Sequence, residues 1–170
     1  MLLLGAALVL LLAGAAPLAL WKLPPSPRLL PIGAPLIPVT LLNQEGAPVA
    51  LATPAGPMLL VVFRGVWCPY CRGELARLAE QVRRFSSTAI RVYGISGDEP
   101  EALLRERQSQ ELPFTLLSDP DQRVASLCKT SMHCLLLFDG NGILRWGGFT
   151  ESWRRPPPYQ DVLEAAHRLE

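Results

Sequence analysis

Apolar residues run unbroken from Met58 to Phe63, a stretch short and β-branched enough to predict a strand buried on both faces. Past a turn at Arg64-Gly65-Val66 the apolar spacing becomes helical. Leu75, Leu78, Val82 and Phe85 recur at intervals of three and four, the stripe of an amphipathic helix. Upstream, Val39 to Leu42 and Val49 to Leu51 flank Asn43-Gln44-Glu45-Gly46 and predict a hairpin. Downstream, Ile90 to Ser96 predicts a second buried strand. Asp98-Glu99-Pro100-Glu101 then starts a helix reaching about Gln110, with Asp98 as its cap. Pro113 ends that helix and Phe114 to Leu117 is a short extended piece. Ser118-Asp119-Pro120-Asp121 opens another short helix, to about Cys128. Cys134 to Phe138 predicts a third buried strand, Asp139-Gly140-Asn141-Gly142 a turn, and Ile143 to Trp146 its partner. Val162, Ala165, Ala166 and Leu169 give a last helix its apolar face. Strand–helix alternation followed by a hairpin and a helix specifies an α/β sandwich with a mixed central sheet.

The N-terminal pattern is of another kind. Residues 1–21 carry no charged side chain and consist almost wholly of Leu, Ala, Val and Gly. That length matches a bilayer span, with Trp21 and Lys22 at the far interface. The rival is a cleaved signal peptide, with an apolar core from Leu2 to Leu12 and small residues Ala13-Gly14-Ala15-Ala16. Neither has a positive n-region, because Lys22 and Arg28 follow the run. Six prolines between residues 23 and 38 exclude helix and inner strand and make a semi-rigid tether. The division expected is 1–21 anchor or signal, 22–35 tether, and 36–170 one folded domain. At 170 residues the chain suits one domain with a sizeable core. A net charge of +1 with scattered Lys and Arg gives no nucleic-acid footprint.

Chemistry concentrates at Trp67-Cys68-Pro69-Tyr70-Cys71. Cys68 falls at the start of the predicted helix, with Pro69 at the first helical position, where its missing N–H costs nothing. Free N–H groups and the helix dipole favour a thiolate there. Two cysteines at this spacing can also close a small disulfide and reopen it, which outlines a redox site. The alternatives are half a zinc site and a pair of buried thiols. Arg64 and Arg72 flank the motif, able to favour a thiolate or to sit as surface charges. Glu74 either relays a proton to or from Cys71 or faces water. Trp67 and Tyr70 pack beside the thiols or bound a substrate groove. His133 contacts the thiols or is an ordinary loop histidine. Cys128 and Cys134 are core residues by default, since free cysteine is among the most buried types. They could also be a second disulfide, a resolving thiol, or, with His133, Cys68 and Cys71, a zinc site. The even cysteine count permits an oxidising compartment.

The order of these pieces resembles the thioredoxin fold, a three-layer sandwich. More narrowly it is similar to the alkyl hydroperoxide reductase/thiol-specific antioxidant (peroxiredoxin-like, redoxin) family. The resemblance rests on Ile32-Gly33-Ala34-Pro35 with Gly46-Ala47-Pro48-Val49, on FRGVWCPYCRGEL at 63–75, and on Val92-Tyr93-Gly94-Ile95-Ser96. LLSDPDQRVASL at 116–127 and LLLFDGNGILRW at 135–146 complete it. It covers residues 32–170 and implies a thiol-dependent oxidoreductase needing no cofactor and no metal, with antioxidant peroxide reduction as an expected activity. Its partners would be an external thiol donor, thioredoxin-like or small, and a disulfide or peroxide substrate. Membrane-tethered thioredoxin-like reductases are a second branch it resembles, sharing the anchor, the WCxxC and the glutamate at Glu74. A client-protein disulfide reductase, extracytoplasmic and held by its N-terminus or exported after signal cleavage, is therefore the alternative enzyme. A zinc-stabilised binding module is the alternative outside enzymes.

The departures bear on mechanism. Aligned on the family pattern T-x-x-C-x-x-E, Cys71 holds the peroxide-attacking position and Cys68 replaces the threonine. Thioredoxin-like enzymes attack with the first cysteine, here Cys68. At the strand entrance, where thioredoxins have a cis-proline and peroxidases an arginine, the chain reads Met132-His133-Cys134. The expected site is Cys68 and Cys71, supported by Trp67, Pro69, Arg64, Glu74 and His133.

Overall fold

The structure, a computed structural model, describes residues 30–52, 56–84, 90–128, 133–150 and 159–169. The anchor or signal reading, most of the proline tether, Phe85 and Met132 lie outside the described residues.

Seven strands form one mixed sheet: β1 (Val39–Asn43), β2 (Pro48–Leu51), β3 (Met58–Val62), β4 (Arg91–Ser96), β5 (Thr115–Ser118), β6 (Cys134–Phe138) and β7 (Leu144–Phe149). Their spatial order is β2-β1-β5-β4-β3-β6-β7. β3 runs parallel to β4 and β4 to β5, whereas β6 pairs antiparallel with β3. Helices α1 (Pro69–Arg84), α2 (Pro100–Ser109) and α4 (Tyr159–His167), with the single turn α3 (Ala125–Cys128), complete the elements.

β3 and β6 are buried at every position, as unbroken apolar runs require when both faces are covered. Alternation along them divides the core in two. Leu59, Val61 and Phe63 with Leu135 and Leu137 meet Leu75, Leu78 and Ala79 of α1, Leu103 of α2, and Tyr159 and Val162 of α4. Met58, Leu60 and Val62 with Cys134, Leu136 and Phe138 meet Leu36, Leu41, Val124 and Cys128 on the other side. Each such aliphatic side chain contributes about 1.5–3 kcal/mol by leaving water.

Two boundaries differ from the sequence reading. β7 extends to Phe149, because Gly147 and Gly148, which break the apolar pattern, still pair with Leu136 and Leu135. The domain also takes in the end of the tether. Gly33 N–H donates to the Leu144 carbonyl (2.8 Å), Leu144 N–H to that of Ala34 (2.9 Å), and Leu36 N–H to that of Gly142 (2.7 Å).

Cys128 and Cys134 are joined in a disulfide, so the default reading of two free core thiols does not hold. Cys134 begins β6 on the face opposite Leu135, and the CPYC thiols lie on Leu135's side. The zinc alternative fails for that reason: the sheet separates the two cysteine pairs. Among the described residues no group of three or more His, Cys, Asp or Glu is placed to hold a metal ion.

The bridge closes a loop of sequence separation 6. In the Cys128→Ser/Cys134→Ser double variant, losing so short a loop constraint should cost about 2 kcal/mol, read from urea denaturation. An unchanged midpoint would show that the bridge carries no stability.

Candidate active site

β3 delivers the chain to the site and stops there. Phe63 N–H donates to the Ile95 carbonyl (2.9 Å), the last sheet bond before the chain turns away. Gly65 takes φ +151°, and a Cβ there would lie 2.3 Å from the Trp67 Nε1. Only glycine fits this corner. Cys68 N–H closes the turn on the Gly65 carbonyl (3.2 Å), and Arg72 N–H donates to the Cys68 carbonyl (3.1 Å) as α1 begins.

A carboxylate from another strand end holds this loop. Asp98 Oδ2 accepts the Val66 N–H (2.9 Å) and the Ser96 hydroxyl (2.7 Å). The sequence assigned Asp98 as the cap of α2, but the cap position is Glu99, which makes no side-chain capping bond. Pro100, directly after the cap, lacks an N–H that would have been unpaired there in any case. Asp98 is thus a positioning residue that sequence reasoning misplaced by one residue. The only local signal was an acid just beyond a parallel strand.

Cys68 and Cys71 are both free thiols, 8% and 1% exposed. Burial pushes Cys68 up. The Cys71 thiol, the N–H groups of Cys71 and Tyr70, and the Arg64 charge outweigh this and hold Cys68 below the ordinary thiol value. Cys71 is pushed up to about 11 by burial, by donating its hydrogen bond to Cys68, and by the Cys68 charge. The pair therefore has its more acidic sulfur at Cys68 and its less acidic one at Cys71.

The neighbours divide sharply. Arg64 lies over the Trp67 ring, 4.9 Å from its centroid, and Trp67 is 63% exposed. Pro69 is exposed at the first position of α1. Arg72 pairs with buried Glu106 of α2 (2.9 Å), so its charge is directed away from the thiols. Glu74 is buried rather than facing water, with Arg77 Nη1 at 3.1 Å. The Tyr159 hydroxyl of α4 donates to the Glu74 carbonyl (3.3 Å) and to Oε2 (3.4 Å). Burial raises the Glu74 carboxyl, while Arg77 and Tyr159 oppose the shift. His133 is buried, 1% exposed, with its ring edge-on to Tyr70 (5.5 Å) and stacked on Phe63 (6.3 Å). Its carbonyl accepts the Thr150 N–H (2.9 Å). Tyr159 and Thr150 were missed, because nothing in their local sequence marks them.

Alkylation of Cys68 by iodoacetamide, followed against pH by mass spectrometry, should show a midpoint below the ordinary thiol value. Cys71→Ala removes a donor to the thiolate, so the midpoint should move up; a fixed midpoint would refute the thiol–thiolate bond. Asp98→Ala strands the Val66 N–H and should cost about 1–3 kcal/mol in denaturant, with Asp98→Asn losing less.

The chain is similar to known proteins. The AhpC/TSA family profile matches residues 32–146. Peroxiredoxin Q of Sedum lineare chloroplasts is 34% identical over 88 residues, covering 51% of this chain and 47% of that protein. A putative peroxiredoxin of Haemophilus influenzae is 37% identical over 87 residues, covering 51% and 56%. The chain spans about half the length of these curated relatives. Among solved structures, peroxidoxin BcpB of Mycobacterium tuberculosis superposes with a TM-score of 0.70 at 19% identity, covering 82% of this chain and 97% of that one. A peroxiredoxin-like protein of Aquifex aeolicus gives 0.71 at 14% identity, covering 84% and 90%. At those identities the structures attest the fold, which is the thioredoxin-like fold expected from the sequence. The profile match extends over most of the chain, and the chain belongs to the AhpC/TSA family.

Proposed function

We propose that the domain is a thiol-dependent oxidoreductase in which Cys68 attacks and Cys71 resolves. The carrying observation is the opposed state of the two sulfurs, Cys68 below and Cys71 above the ordinary thiol value. With a disulfide substrate, the Cys68 thiolate attacks one sulfur and expels the other as a thiolate. Cys71 then loses its proton and displaces the substrate sulfur, closing Cys68–Cys71. With a hydroperoxide, Cys68 takes the terminal oxygen as a sulfenic acid, and Cys71 condenses with it to release water. Both routes end in the same disulfide, which an external thiol donor, thioredoxin-like or small, reduces. The relatives from Sedum lineare and Haemophilus influenzae are peroxiredoxins, which supports a peroxide substrate.

A second reading, a disulfide reductase for a client protein, is favoured by Trp67, a large apolar side chain exposed beside the nucleophile. An extracytoplasmic location, held by residues 1–21 or reached after their cleavage, is part of the proposal. The buried Cys128–Cys134 bridge supports it, since structural disulfides persist in oxidising compartments. No helix among the described residues is long and apolar enough to cross a membrane, so the anchor rests on residues 1–21 alone.

Cys68→Ser and Cys71→Ser, assayed in parallel against a disulfide and a hydroperoxide, test the roles. Cys68→Ser should abolish both reactions. Cys71→Ser should still form a mixed disulfide or sulfenic acid once but not turn over. Peroxidase activity surviving in Cys68→Ser and lost in Cys71→Ser would instead make Cys71 the nucleophile, as the family alignment places it.

A further inference from the structure

Four buried side-chain polar atoms have no hydrogen-bond partner among the described residues: the Tyr70 hydroxyl, both ring nitrogens of His133, and the Thr150 hydroxyl. All four belong to one cluster. The Tyr70 and His133 rings meet edge to face, and Thr150 N–H is bonded to the His133 carbonyl. The Tyr70 and Thr150 hydroxyls are within electrostatic reach of each other without a well-formed hydrogen bond. Phe63 closes the apolar side by stacking on His133. A buried unpaired polar atom costs about 1–3 kcal/mol, so four in one place call for a physical reason.

The cluster adjoins the dithiol. Tyr70 stands between Cys68 and Cys71 in the first turn of α1, and its N–H helps to hold Cys68 below the ordinary thiol value. Its chemistry is neutral. Burial drives His133 down to about 4, so the imidazole is uncharged near neutrality, and burial likewise keeps the Tyr70 phenol protonated. Two hydroxyls and a neutral imidazole each offer one donor and at least one acceptor, with no ionised group among them. A site of that kind favours a small uncharged ligand that can itself donate and accept.

We propose that His133, Tyr70 and Thr150 form a binding pocket for the protic O–O end of a small uncharged hydroperoxide, beside Cys68. This rests on the reading of Cys68 as the redox nucleophile. The Cys68 thiolate attacks the terminal oxygen of ROOH, an S–O bond forms, the O–O bond breaks, and the electron pair leaves on RO⁻. Cys68 is oxidised to the sulfenic acid and the peroxide is reduced. RO⁻ accepts hydrogen bonds from the pocket and takes up a proton from solvent to leave as ROH. Cys71 then condenses with the sulfenic acid, giving Cys68–S–S–Cys71 and water. The pocket replaces electrostatic support that other active sites obtain from fixed charge.

The test compares two reactions of the same sulfur in the full chain, oxidation by hydrogen peroxide or cumene hydroperoxide and alkylation by iodoacetamide. Only the first uses the pocket. The ratio of the two rate constants should fall about 10²-fold in His133→Phe, and about tenfold each in Tyr70→Phe and Thr150→Val. His133→Gln, which restores a donor and an acceptor, should recover most of the loss. If His133→Phe does not fold, the two near-isosteric hydroxyl deletions carry the test. An unchanged ratio in the folded variants overturns the pocket, leaving it a place for ordered water alone. A wild-type protein that is alkylated readily but never oxidised by peroxide overturns the peroxidase reading itself, and the pocket with it.

Discussion

Strand β3 has apolar side chains packed on both faces and hydrogen-bonded strands, β4 and β6, on both edges. A strand so enclosed cannot slide by one residue without turning its whole apolar set over and breaking both ladders. Its end is therefore a fixed point, and the chain must leave the sheet there within a few residues. The Gly65 corner and the Asp98 acceptor convert that exit into a helix start with a sulfur at its mouth. Asp98 itself follows β4, the parallel neighbour of β3. The site is thus assembled where two parallel strands end side by side, the region that open α/β sheets leave available for ligands.

Once Cys68 is placed at that mouth, burial alone would make it a poor nucleophile. The thiol beside it alters the balance. Cys71, more deeply buried, retains its proton and donates it toward Cys68, and the same bond raises one group and lowers the other. The surrounding charges are arranged consistently with this. The Arg64 charge acts on Cys68, whereas Arg72 and Glu74 are committed to Glu106 and to Arg77 with Tyr159. Those two pairings also fasten α1 to α2 and α4, so the helix that presents the sulfurs is braced on two sides.

Local physics made much of this legible. The run from Met58 to Phe63, the stripe from Leu75 to Val82 and the spacing of Cys68 and Cys71 fixed β3, α1 and the dithiol. Each depends on neighbours within one or two turns of chain. The errors arose where a residue's partner lies far away. Asp98 looked like a helix cap because the sequence displays α2 next to it and not Val66, 32 residues earlier. Whether Glu74 is buried or faces water stays open in the sequence because its partner Tyr159 is 85 residues away. Thr150 follows a glycine-containing strand with no polar pattern to single it out. The pairing of Cys128 with Cys134 required knowing which sheet face each one takes.

That last point separates two kinds of cysteine chemistry within one chain. Successive residues of a strand point to opposite faces, so Cys134 shares its face with Leu136 and Phe138 while Leu135 and Leu137 face the dithiol. Turning Cys134 to the dithiol's face would invert β6 and break its ladders to β3 and β7. The sheet thus lies between a bridge closed among apolar side chains and the free Cys68/Cys71 pair.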